Sequence, residues 1–144
     1  MVKKLLYSCL ALVLLAGCQQ LVLPQDDKAC DLRALTVRVH YDAADPSLAD
    51  EFDALSGGVD PDTGEATFSF PRDAERYNAE TLSRCTLEAT IPSTASLVVY
   101  DADGQVKAGG LGGVWNLANQ AVAFDVVAAN GDRRHYDFFF RMRR

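Results

Sequence analysis

His40 and His135 are the only imidazoles in the chain, and each falls on the polar phase of an alternating segment. Two imidazoles can begin a zinc site, which needs further ligands in tetrahedral array. They can also begin nucleophilic catalysis, which needs a hydroxyl or thiol in reach and a group to orient the ring. If the first and last strands were neighbours, the two rings would approach each other. Ser and Asp are plentiful, but there is no Gly-x-Ser-x-Gly elbow and nothing in the spacing fixes a triad. The expectation is two solvated histidines on a sheet face, with no metal, no cofactor and no enzymatic activity.

Carboxylates give the second candidate chemistry. Asp60, Asp62 and Glu65 flank Gly64, and Asp101 and Asp103 precede Gly104. Calcium takes six to eight oxygen ligands from such loops, but neither segment continues into a full EF-hand loop. Asp and Gly are also what tight turns require, and turns are the expectation. The glycines between 109 and 113 superficially resemble a phosphate loop, but no Lys-Ser/Thr follows. Beside them stands Trp115, expected in the core of a β domain or, alternatively, at a partner or ligand contact.

The elements that would position these residues are strands. Residues 35–41 alternate strictly, with Leu35, Val37, Val39 and Tyr41 on one face. Residues 66–70, 85–91, 97–100, 121–127 and 134–142 repeat the pattern, with short returns at 105–108 and 114–117. Asn130-Gly131 marks a hairpin. Residues 46–55 carry helix signals: Asp45 as N-cap, Pro46 at the first position, and Leu48, Phe52 and Leu55 along one side. Many short strands with turn signals and little helix predict an all-β fold. The expected form is one small sandwich, immunoglobulin-like or transthyretin-like, with a short helix or long acidic loop after the first strand.

At the start of the chain, Lys3 and Lys4 precede an apolar run over residues 5–15, which closes in Leu15-Ala16-Gly17-Cys18. The run has signal-peptide length and is too short to span a bilayer comfortably. This segment resembles the lipobox of bacterial lipoproteins. The resemblance implies cleavage before Cys18, a diacylglyceryl thioether on its sulfur, and anchoring by two or more acyl chains. Gln19 in place of Asp implies sorting to the outer membrane, facing the periplasm. The implied layout is a signal peptide over 1–17, a tether over 18–29 and a sandwich domain over 30–144.

Of four cysteines, the resemblance implies that Cys9 leaves with the signal and that Cys18 is lipidated, which leaves Cys30 and Cys85. Two cysteines in an oxidising envelope are expected to form a disulfide. The formal charge of −6 includes Lys3 and Lys4, so the processed chain carries −8. That balance argues against nucleic acid as a partner. The charge is uneven: residues 42–104 hold fourteen acids and three bases, whereas Arg133, Arg134, Arg141, Arg143 and Arg144 against Asp137 make the last strand basic. Phe139 falls on the polar phase of that strand. Phe139, Arg141 and Arg143, with Trp115, are therefore the candidate contact residues. The expected partners are the membrane, through the lipid, and another envelope protein. A small-ligand or cell-wall-fragment module is the alternative, with a hydrolase behind it.

Overall fold

The computed structural model describes residues 28–143, so Cys18 and the lipobox lie outside the described residues. Among the described residues seven strands form two sheets: β1 (Ala34–Val39), β2 (Asp50–Asp53), β3 (Glu65–Ser69), β4 (Cys85–Thr90), β5 (Ser96–Tyr100), β6 (Val122–Val127) and β7 (Arg133–Arg141). One sheet has the order β2-β1-β4 and the other β3-β7-β6-β5. Among the described residues there is no α-helix, and the fold is an all-β sandwich as its patterning predicts.

Period-two alternation turns one face of each sheet inward. Leu35, Val37 and Val39 from β1 and Cys85 from β4 meet Phe124, Val126 and Phe138 from the facing sheet, all fully buried. Phe124 and Phe138 stack with centroids 5.8 Å apart. At the other end of the core, Phe52, Phe68, Phe70 and Tyr77 pack with mostly tilted or edge-on rings, which suits their quadrupoles.

Two connections position β7, the strand that carries most of the exposed candidates. The β6–β7 hairpin closes through residues 128–132, where Ala128 N–H donates to Asp132 C=O at 2.7 Å. β3 pairs with β7 in parallel, Glu65 opposite Asp137 and Ser69 opposite Arg141. Parallel pairing brings the ends of both strands together, and Phe70 N–H donates to Arg141 C=O at 2.9 Å.

The expected helix over 46–55 does not form. Asp45 does cap, its Oδ1 accepting from Ser47 N–H at 3.1 Å. The chain makes one turn, with Leu48 exposed, and then joins β1 as β2, Phe52 opposite Val37. A 3-10 turn follows at Ala54–Gly57. Pairing with a strand whose apolar face is already buried outweighs a weak local helix preference.

Candidate functional site

The outer face of the four-stranded sheet carries the polar and exposed groups. Alternation along β7 turns Arg133, His135, Asp137, Phe139 and Arg141 outward. Register sets Asp125 of β6 opposite His135 and Val98 of β5 opposite Asp125.

Asp125 is the hub of this face and is only 9% exposed. Its Oδ2 accepts from the Tyr100 hydroxyl at 2.6 Å and from an Arg133 guanidinium N–H at 3.1 Å. Its Oδ1 accepts from His135 Nδ1 at 2.6 Å. Burial alone would push the Asp125 carboxyl up, but the hydrogen bonds from Tyr100, His135 and Arg133 outweigh it and hold the group below the ordinary carboxylate value. His135 lies between two carboxylates, because its Nε2 is 3.1 Å from Asp137 Oδ2. Desolvation works against the imidazolium, yet the bond to Asp125 and the charge of Asp137 prevail and raise its pKa. A carboxylate beside each ring nitrogen favours a proton on both. With both nitrogens protonated, the ring has no free lone pair with which to act as base or metal ligand. The Tyr100 hydroxyl is also shifted up, chiefly by its bond to Asp125. Asp125, Asp137, Arg133 and His135 thus close on one another and fix this part of the sheet face.

Around this hub are two adjoining grooves of ≈ 520 and ≈ 530 Å³, which share Tyr100, Asp101, Ala102 and Ala123. One extends toward Lys107, Asn119 and Gln120, the other toward Gly104 and His135. Farther along β7, a depression of ≈ 130 Å³ lies between Phe139 and the 117–121 loop.

The structure sorts the sequence candidates. Phe139 is 42% exposed, and Arg141 and Arg143 are exposed at the end of the same strand. Trp115 is not at the surface but 2% exposed. Its Nε1–H donates to Leu111 C=O at 2.9 Å, and the Lys107 ammonium lies 4.9 Å over its ring. Trp115 thus takes the core position expected of it, while part of its ring also lines the groove beside Tyr100 and Lys107.

The expected Cys30–Cys85 disulfide is absent, and both thiols are free. Register explains why. Arg33 N–H donates to Thr90 C=O, so Cys30 is reached from the Thr90 end of β4, five residues or about 17 Å from Cys85. A bridge needs Cα atoms about 5.5 Å apart. Cys85 is buried, and desolvation pushes its thiol up to about 12.

The two histidines do not meet, since β1 and β7 belong to different sheets. His40 contacts Pro46 C=O at 2.9 Å and Thr86 Oγ1 at 3.0 Å instead. The acidic loops are turns: Asp60 Oδ1 accepts from Asp62 N–H, and Asp101 Oδ1 accepts from Asp103 and Gln105 N–H. Among the described residues no three His, Cys, Asp or Glu are grouped to hold a metal ion. Sequence reasoning missed the Asp125 hub. Its signal was a carboxylate on the polar phase of the otherwise apolar 121–127 run.

Fold and surface together define a small all-β sandwich. No protein-family model matches the chain, and no curated protein matches it. Among solved structures, a "putative secreted protein" of Bacteroides fragilis is similar to this chain at 17% identity, covering 81% of this chain and 98% of its own, with a TM-score of 0.47. Among the described residues no helix is long and apolar enough to cross a membrane.

Proposed function

We propose that this chain is a lipid-anchored protein of the bacterial cell envelope, held through Cys18 in the outer membrane and facing the periplasm, and that it works by binding another envelope protein. The lipobox-like residues 15–18 support the anchor, and residues 18–29 are the tether. The observation that carries the binding role is Phe139. It is a large aromatic left 42% exposed on a sheet face where Tyr100, Arg133 and His135 are tied up with Asp125. Aromatic residues beside arginine are over-represented where interfaces hold most of their energy. The role is accessory, in assembly or inhibition, and not catalytic.

In-cell cross-linking of a tagged copy, detergent extraction and mass spectrometry test this reading. One abundant envelope protein should co-purify from wild type and be lost with Phe139→Asp. In parallel, Cys18→Ala should move the protein from the membrane to the soluble fraction. Recovery of no specific partner from intact envelopes would count against the binding role, and a Cys18→Ala form still bound to membrane would count against the anchor.

A second reading draws on the paired grooves at Tyr100, which have the size of a small-ligand site. The ligand is then a sugar or cell-wall fragment held by Tyr100, Asn119 and Gln120, with Trp115 in the groove wall. Binding of such fragments, abolished by Asn119→Ala with Gln120→Ala and indifferent to Phe139→Asp, would favour it.

A further inference from the structure

The described arginines divide into two groups. Arg33, Arg38, Arg76, Arg84 and Arg133 each meet a carboxylate, and Arg134 lies over the ring of Tyr136. Arg72, Arg141 and Arg143 have neither an ion pair nor a ring contact. In a chain with twenty acids and fourteen bases, internal partners are in surplus, so three unpaired arginines need a reason. All three lie at one place. Parallel pairing of β3 with β7 ends at Ser69 opposite Arg141, and the Phe70–Arg141 backbone bond continues it. Residue 72 therefore emerges beside residues 141–143, although 69 to 71 positions separate them in sequence. The nearest acid in sequence, Asp73, is engaged locally, its Oδ1 accepting from Glu75 and Arg76 N–H. Apolar surface adjoins the cations: Phe139 is 42% and Met142 38% exposed, and the depression beside Phe139 opens between β7 and the 117–121 loop.

From this juxtaposition we infer that the end of the sandwich where β3 and β7 finish is a docking site for an acidic, extended segment of a partner protein, with an apolar side chain of that segment seated beside Phe139. The inference rests on the binding-module reading and specifies its partner. Charge complementarity sets the sign of the segment, and exposed Phe139 and Met142 require that it also carry apolar groups. Position argues for a protein over the membrane that carries the anchor. The tether side of the chain meets β7 at Tyr136, whose hydroxyl accepts from Leu32 N–H at 2.9 Å. Arg141 lies five residues farther along, about 17 Å away.

The test is a titration of the purified full chain with a fluorescent peptide alternating Glu and Leu, beside a Lys-Leu peptide and vesicles rich in phosphatidylglycerol. The acidic peptide alone should bind, more weakly as salt is raised, since exposed charges are screened over about 10 Å at 0.1 M salt. Arg72→Glu/Arg141→Glu/Arg143→Glu should weaken binding at least about tenfold, because like charges face each other in the variant. Phe139→Ser should weaken it independently. Arg141→Glu should cost more than Arg33→Glu, which changes net charge equally at the tether end. These side chains are exposed, so folding should survive; circular dichroism verifies that, and the triple Arg→Gln set replaces the triple Glu set if it does not. Equal losses for Arg33→Glu and Arg141→Glu would overturn the site in favour of diffuse charge. Vesicle binding without peptide binding would overturn it in favour of lipid. Because the titration needs neither the anchor nor the native partner, its failure alongside a captured partner removes this site while leaving the binding-module reading in place.

Discussion

Gly64 offers the sharpest test of the parallel β3–β7 pairing on which the basic end depends. Its φ is +76°, its N–H donates to Asp60 C=O at 2.8 Å, and its C=O accepts from Asp137 N–H at 3.0 Å. A Cβ added there would lie 1.9 Å from the carbonyl oxygen of His135 and 3.0 Å from its carbon. Both are backbone atoms of β7, a strand paired on both sides, so neither can move aside. Gly64→Ala then carries two costs. The left-handed conformation costs a residue with a Cβ about 1–2 kcal/mol, and forcing the strand away resembles overpacking, at about 1–3 kcal/mol. Together they come to about 2–5 kcal/mol, a large part of the total stability expected of a domain this size. Gly58 separates the two contributions, because its φ is +84° but nothing lies within 4 Å of the added Cβ. In urea unfolding at neutral pH, Gly58→Ala should lose only the conformational part and Gly64→Ala clearly more. Equal losses for the two variants, or a Gly64→Ala loss below about 1 kcal/mol, would refute the close approach of the 60–65 turn to β7.

The charged hub, the cysteines and the tryptophan give further expected outcomes. His135 has a folded pKa raised above its ordinary 6.5, so its stabilisation is complete below pH 6.5 and is lost as pH rises through the folded value. Asp125 is lowered from 3.8, so its contribution is complete above pH 3.8 and is lost as pH falls through the folded value. Urea midpoints across pH should show both declines. His135→Gln should remove the alkaline one, and an unchanged profile in that variant would contradict the double carboxylate contact. In the native protein Cys85 should resist alkylation until unfolding, and intact mass should show both Cys30 and Cys85 reduced; a mass lower by two hydrogens would contradict the strand register. Trp115→Ala should destabilise by about 3–5 kcal/mol, the range for deleting a large buried aromatic. Loss of ligand binding with stability unchanged would return Trp115 to the surface.

Much of the sandwich was readable because strict alternation encodes a half-buried strand directly. Residues 35–41, 85–91, 121–127 and 134–142 correspond to β1, β4, β6 and β7, and their expected apolar faces are largely the buried ones. Local signals failed where tertiary pairing decides. Asp45, Pro46 and the spacing of Leu48, Phe52 and Leu55 mimic a helix start, yet Phe52 serves as a strand rung against Val37, Leu55 packs on the core from the next turn and Leu48 is exposed. Counting cysteines says nothing of distance, and register holds Cys30 and Cys85 apart. Phe139 was legible as an aromatic out of phase. Arg72 was not, because its approach to Arg141 depends on a parallel pairing that no short-range pattern specifies.

Site-specific photo-cross-linking from position 139 in living cells tests the binding role most directly, with a cross-linker at exposed Thr90 on the other sheet as control. One discrete envelope-protein adduct is expected from position 139, absent from position 90 and lost when Arg72, Arg141 and Arg143 are all changed to Glu. No adduct from position 139, or the same adduct from both positions, would contradict a binding surface at the end of β7.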